Sequence, residues 1–160
     1  MAEDDTIKQM LKESAFFCDF GDDLLDLIAA CTKTEHFNGG SYLIRVGERS
    51  ETFYLIRHGS VALELVAPPK GRLVLQTVHE GDVVGWSWLV PPFRWVYDAR
   101  AISLVRTLTF DARRLHALCE TNHELGYRLL SRFVKVLSGR VMAARMQLLD
   151  LYAPMAGSDI

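Results

Sequence analysis

The chain has 160 residues, 49% of them hydrophobic and 24% charged, and a net charge of −2. That balance excludes a disordered segment, and a chain this long buries roughly 70% of its unfolded surface with no disulfide or metal staple. A charge so close to neutral points away from a polyanionic partner. Cys18, Cys31 and Cys119 are scattered with no CxxC spacing. This excludes a disulfide framework and falls short of the roughly four thiolates of an iron–sulfur cluster. The acidic start, Met1 to Thr6, lacks the pattern of a signal peptide, and no apolar run reaches the ~18 residues of a membrane span. A cytoplasmic location with no membrane partner is expected.

Helix signals come first. Thr6-x-x-Gln9 reads as a capping box, with Ile7, Met10 and Leu11 at helical spacing. Phe16, Phe17 and Phe20 form an aromatic knot, and Asp22 is placed to cap a second helix carrying Leu24, Leu25, Leu27, Ile28 and Cys31. From Glu35 to Phe110 the rhythm changes to short β-rich runs separated by Gly or Pro. Tyr42-Leu-Ile, Phe53-Tyr-Leu-Ile, Val61 to Val66 and Leu73 to Val78 are strands, and Ala99 to Phe110 is one long strand. Strands at intervals of about 8–12 residues indicate a barrel or sandwich. Asp111 then caps a short helix through Cys119. Thr121-x-x-Glu124 is a second capping box, opening a long helix to about Tyr152 that Pro154 and Gly157 stop.

The punctuation of the middle carries a resemblance. The runs concerned are Phe37-Asn-Gly-Gly-Ser-Tyr-Leu-Ile-Arg-Val-Gly47, Phe53-Tyr-Leu-Ile-Arg-His-Gly59-Ser-Val61, Gly81-Asp-Val-Val-Gly85 and Ala99-Arg-Ala101. In this order and spacing they resemble the cyclic-nucleotide-binding domain of the Crp/Fnr family. The resemblance covers nearly the whole chain and implies an α+β fold. A double-stranded β-helix, jelly-roll-like, occupies residues 34–110, with N-terminal helices over 1–33 and C-terminal helices over 111–153. The glycines fit the corners of such a roll, where positive φ or close backbone approach is needed, and carry no information on the ligand.

The segment after Gly85 decides the function. In relatives that bind cAMP, the resemblance implies a Glu next, accepting from the ribose hydroxyl, and an Arg nine or ten positions on, neutralising the phosphate. Counting forward from Gly85 puts Trp86 at the Glu position. Counting back from Ala99-Arg100-Ala101 puts Trp95 at the Arg position. A buried phosphate without a cation costs on the order of several kcal/mol, so cAMP binding is expected to be weak or lost. Arg94 lies one residue from the Arg position, and Arg100 sits on a strand. The candidate pocket is therefore Gly85, Trp86, Ser87, Trp88, Leu89, Arg94, Trp95, Val96, Ala99 and Arg100. Either its indoles fill the nucleotide cavity, or they stack on a planar ligand that Ser87 helps to orient.

The long helix carries Leu130, Phe133, Leu137, Val141, Ala144 and Leu148 at steps of three or four. This stripe packs on the roll or, as the resemblance implies, pairs with a second copy as a homodimer seam. Only eight residues follow Tyr152, so no DNA-reading segment, and no direct DNA binding, is expected of this chain. Protein contact is the expected output. There is no HExxH, GxSxG or P-loop, so no enzyme and no cofactor are expected. The resemblance leaves a haem or redox sensor, ligated by His79 or His123, as an alternative to a ligand sensor or a plugged adaptor.

Overall fold

Two helices, α1 (Ala2–Glu13) and α2 (Asp22–Ala29), open the computed structural model, which describes residues 2–156 and the side chains of 3–152. The acidic first turn of α1, Glu3 to Asp5, suits the positive end of the helix dipole. The helix thus begins ahead of Thr6, and the expected Thr6–Gln9 box lies inside it. Ile7 and Leu11, one turn apart, are its buried residues. Asp22 does not cap α2. It pairs instead with Lys12 at 3.3 Å, beside Lys8 and Asp26 at 2.9 Å, and so ties the two helices together. The knot between them is buried, with the Phe17 ring 4.6 Å from Phe16 and 5.4 Å from Phe20.

Eight strands follow: β1 (Thr32–Phe37), β2 (Tyr42–Ile44), β3 (Thr52–His58), β4 (Val61–Val66), β5 (Arg72–Val78), β6 (Val83–Val84), β7 (Asp98–Ala101) and β8 (Val105–Asp111). They form two four-stranded antiparallel sheets, ordered β1-β8-β3-β6 and β2-β7-β4-β5. The expected single strand from Ala99 to Phe110 is therefore two strands in different sheets. The chain changes sheet at Ile102–Leu104, where Ile102 N donates to Ser60 O at 3.0 Å. Gly59 permits this corner. Its φ is +88°, and a Cβ there would collide with the Leu104 carbonyl oxygen.

Strand alternation sorts the side chains. Val61, Leu63, Ala99 and Ala101 face into the roll, where they meet Tyr54 and Ile56 of β3. On the other face of β3 and β8, Phe53 and Phe110 stack at 4.3 Å, and Phe110 meets Phe17 of the knot at 5.3 Å. Both rings are fully buried, and truncating a core phenylalanine costs about 3–5 kcal/mol.

Asp111 caps α3 (Ala112–Thr121) as expected, its carboxylate accepting from Arg114 N at 3.1 Å. The cap of α4 (His123–Ala156) is Asn122, which accepts from Leu125 N at 3.1 Å. Thr121 is turned back to donate to Leu118 O, so the second capping box does not form. The helix passes Pro154 and runs to Ala156, because a proline near a helix end removes one hydrogen bond while keeping a helical φ. Gly157, the other expected stop, lies outside the described residues. The chain divides at Arg128/Leu129: the first unit holds both sheets, α1 to α3 and the start of α4, and the second is the remainder of α4.

Candidate functional site

β6 delivers the chain to Gly85, whose φ is +100°. A Cβ at Gly85 would lie 2.8 Å from both Cη2 and Cζ3 of Trp95, and 3.5 Å from Phe53 Cβ. The Trp95 indole is therefore packed against the Gly85 backbone. It is 5% exposed and belongs to the cluster that fills the roll, with Tyr97 and Ala99. Trp86 is half-buried against the same cluster. Both indoles, at the positions where the resemblance implies a Glu and an Arg, meet the roll interior.

The next residues form a single 3-10 turn, Ser87–Leu89, closed by Leu89 N donating to Trp86 O at 3.0 Å. Ser87 is buried, and its Oγ has no hydrogen-bond partner among the described residues. Trp88 is buried outside the interior cluster, stacked on Phe53 at 5.1 Å with the planes 10° apart. Leu89 is half-buried.

The two candidate cations do not join this group. Arg94 is exposed, and its Nη1 donates to Gly47 O at 2.9 Å. The neighbouring backbone is clamped by Gly47 N to Trp95 O and Trp95 N to Glu48 O, both at 2.9 Å, so Trp95 and Arg94 are sent to opposite sides. Val96 is likewise exposed. Arg100 alternates with the inward Ala99 and Ala101 and lies on the outer face of its sheet. There its Nε donates to Glu64 Oε1 at 2.9 Å and its Nη2 to Glu64 Oε2 at 3.3 Å. The structure thus brings Gly85, Trp86, Trp95 and Ala99 together at the interior and sends Arg94, Val96 and Arg100 elsewhere.

The sequence reading missed the network around Arg100. Asp98 and Glu64 are both buried. Asp98 accepts from Arg72 Nη1 at 3.0 Å and from Val46 N at 2.8 Å, and the Arg45 guanidinium sits 3.9 Å over the Tyr42 ring. Donating to the Asp98 carboxylate pushes the Arg72 pKa up, and donating to Glu64 does the same for Arg100. Among the described residues Glu64 and Asp98 are the buried charged side chains. Both face outward, so neither puts its charge into the interior. Hydroxyls are among the polar groups there. Thr107 and Thr109 bond each other at 2.9 Å, and Tyr54 donates to Leu43 O at 3.2 Å. Burial pushes the Tyr54 phenol pKa up, so it stays protonated. The alternation Thr107-x-Thr109 between Leu108 and Phe110 was the available sequence signal.

His79 and His123 are both exposed. The His79 ring bonds Ser60 Oγ at 2.9 Å, and the His123 ring bonds Glu120 O at 3.2 Å. Among the described residues no three His, Cys, Asp or Glu are grouped to hold a metal, and no helix is long and apolar enough to cross a membrane.

The sequence pattern of the cyclic nucleotide-binding domain matches residues 34–122, more than half of the chain. The chain belongs to the cyclic nucleotide-binding domain family. The curated HTH-type transcriptional regulator Cmr of Mycobacterium tuberculosis is 25% identical over 129 residues, which is 81% of this chain and 51% of that protein. The chain spans about half the length of that regulator. A Geobacter metallireducens protein described as a cyclic nucleotide-binding protein has a crystal structure similar to this domain, with TM-score 0.76 and 25% identity over 84% of this chain and 97% of that one. The regulatory subunit of a cAMP-independent protein kinase A from Trypanosoma cruzi, bound to guanosine, is also similar. Its TM-score is 0.64 and its identity 25%, over 72% of this chain and 41% of that one. This cyclic nucleotide-binding domain therefore keeps the family's helix, roll and helix order, as the sequence led one to expect, around an interior lined with indoles and hydroxyls.

Proposed function

We propose that the chain is a non-catalytic regulatory sensor whose interior site does not hold a cyclic phosphate, so that cAMP binds weakly or not at all. The observation that carries this is Trp95. Its indole lies against Gly85 at the position where the resemblance puts the phosphate-neutralising arginine. With Arg94 turned to Gly47 and Arg100 to Glu64, a phosphate in the roll would meet neither candidate arginine. Indole faces and hydroxyls suit a neutral planar ligand instead. The guanosine of the Trypanosoma cruzi relative is a ligand of that kind, a nucleoside without a phosphate.

The test is a titration read by tryptophan fluorescence and melting temperature, with cAMP, cGMP, guanosine and adenosine. We expect no saturable response to cAMP, and a response to a nucleoside that at a hundred times its dissociation constant stabilises the fold by ~2.7 kcal/mol. A double variant, Trp86→Glu with Trp95→Arg, should gain cAMP binding. Saturable binding of cAMP by the unaltered chain would overturn the proposal. The burial of Trp95 also favours a second reading, an adaptor with its interior filled that acts by protein contact alone. No nucleoside would then move the fluorescence.

We also propose a homodimer through α4. Leu130, Val141 and Leu148 are 50%, 52% and 54% exposed on it, Ala144 is exposed and Leu137 half-buried, whereas Phe133 is itself buried and takes no part in an exposed row. Light scattering should give a dimer mass that Leu148→Glu halves. A monomer mass for the unaltered chain would remove this part of the proposal.

A further inference from the structure

A concavity lies on the outside of the roll, behind the 3-10 turn. It has a volume of about 260 Å³ and is bounded by residues 49–51, by Trp88 and Phe93, and by the first turns of α3. The lining mixes two aromatic rings, Trp88 and Phe93, with the guanidiniums of Arg49 and Arg113, the polar His116 and Ser50, and the Glu51 carboxylate. Glu51 is spoken for in part by Arg113 at 3.8 Å, so two guanidiniums face one carboxylate.

Two observations point to a ligand here. Ser50 lines the cavity and is 5% exposed, yet its Oγ has no hydrogen-bond partner among the described residues. A buried hydroxyl in that state is uncommon, because leaving it unpaired is costly. The second is Phe93. Its φ is +58°, a conformation few non-glycine residues adopt. It is pinned there by Ser50 N donating to Phe93 O at 2.8 Å and Phe93 N donating to Val90 O at 2.9 Å. The result sets its ring edge-on to His116 at 5.9 Å and 38% exposed at the cavity. Backbone strain held in place by its surroundings is a feature of binding sites.

From these observations we propose that this cavity is a second small-molecule site, separate from the roll interior, and that it takes a small aromatic carboxylate. A cavity of about 150 Å³ accommodates benzene, so the volume here leaves room for a ring and a carboxylate-bearing arm. The ring lies between Trp88 and Phe93. The carboxylate meets Arg49 and Arg113 and accepts from the Ser50 hydroxyl, which supplies that oxygen with the partner it lacks. Trp88 also stacks on Phe53, whose Cβ borders Gly85, so the outer cavity and the interior have neighbouring rings.

The experiment is a nitrogen-15 NMR titration of the whole chain with phenylacetate and benzoate, and with phenylacetamide as the neutral counterpart. Saturable shifts are expected for the amides of residues 49–51, 88–90, 93 and 112–116. Phenylacetamide should bind roughly tenfold more weakly, since a charge-assisted hydrogen bond is removed. The Arg49→Ser, Arg113→Ser double variant alters two exposed side chains and should bind phenylacetate at least roughly tenfold more weakly while keeping the unliganded spectrum elsewhere. Its response to nucleosides should be unchanged, which separates this site from the interior one. Equal affinity for the amide, undiminished affinity in the double variant, no saturable shift, or shifts confined to interior residues such as Tyr54 and Ala99 would each overturn the proposal.

Discussion

Replacing Gly85 with alanine tests the placement of Trp95 directly. Two costs arise. A Cβ on a residue at φ +100° is strained by about 1–2 kcal/mol. The same Cβ would stand 2.8 Å from the far edge of the Trp95 indole, an overpacking worth about 1–3 kcal/mol. Gly85→Ala should thus destabilise by about 2–5 kcal/mol in the native background. In a Trp95→Phe background the distal ring is absent, so only the backbone cost remains and the two substitutions should couple by ~1–3 kcal/mol. Urea unfolding reads this. With a slope of about 2 kcal/mol/M, the coupling amounts to ~0.5–1.5 M in midpoint. Gly71 is the control, since its φ is +80° with nothing within 4 Å of a Cβ, so its replacement by alanine should cost the backbone strain alone. If Gly85→Ala cost the same in both backgrounds, within ~0.5 kcal/mol, the indole would not lie against Gly85 and the account of an indole-lined interior would fail.

Two further outcomes are expected. Arg100→Met leaves the Glu64 carboxylate, 2% exposed, with only Arg72 at 3.7 Å as a cation, and should destabilise the fold, because a buried charge loses its hydrogen-bonded partner. Glu64→Gln leaves only part-exposed arginines that water can solvate and should cost roughly half as much, so urea melts giving the reverse order would contradict the assigned burial. Burial pushes the thiol pKa of both Cys31 and Cys119 up, which lowers their thiolate fraction at neutral pH, while Cys18 is exposed. A chromogenic disulfide reagent should therefore label one thiol quickly and two slowly, and three fast equivalents would refute this.

What could be read from the sequence was what local chemistry determines. The glycines at the corners of the roll, the alternation of Val61, Leu63, Ala99 and Ala101, and the Asp111 cap all follow from neighbouring residues. Arg100's outward direction also follows, because alternation from Ala99 fixes it. Arg94 was different: its partner, the Gly47 carbonyl, comes from a distant turn that no spacing announces. The break between β7 and β8 was hidden for the same reason, since the corner depends on the approach of Gly59 to Leu104. The expected Thr121 cap failed because Thr121 turns back to Leu118 O while its neighbour Asn122 turns forward to Leu125 N, a choice that local spacing does not reveal. The outer cavity gave no signal at all. Ser50, Phe93 and His116 meet there from three segments, and each alone reads as an ordinary loop or helix residue.

Trp88, Phe53, Phe110 and Phe17 form one column of rings, with centroid steps of 5.1, 4.3 and 5.3 Å. Such contacts are worth about 0.5–1.5 kcal/mol each beyond the area they bury. The column runs from the turn after Gly85, through both central strands of one sheet, to the N-terminal knot. Loosening that turn therefore disturbs a stack that ends among the helices at the start of the chain, and the segments open together as one cooperative unit instead of fraying separately. A loop that fluctuates freely answers its ligand quickly and by degrees. A loop stacked into a buried column of rings should answer seldom, slowly and all at once.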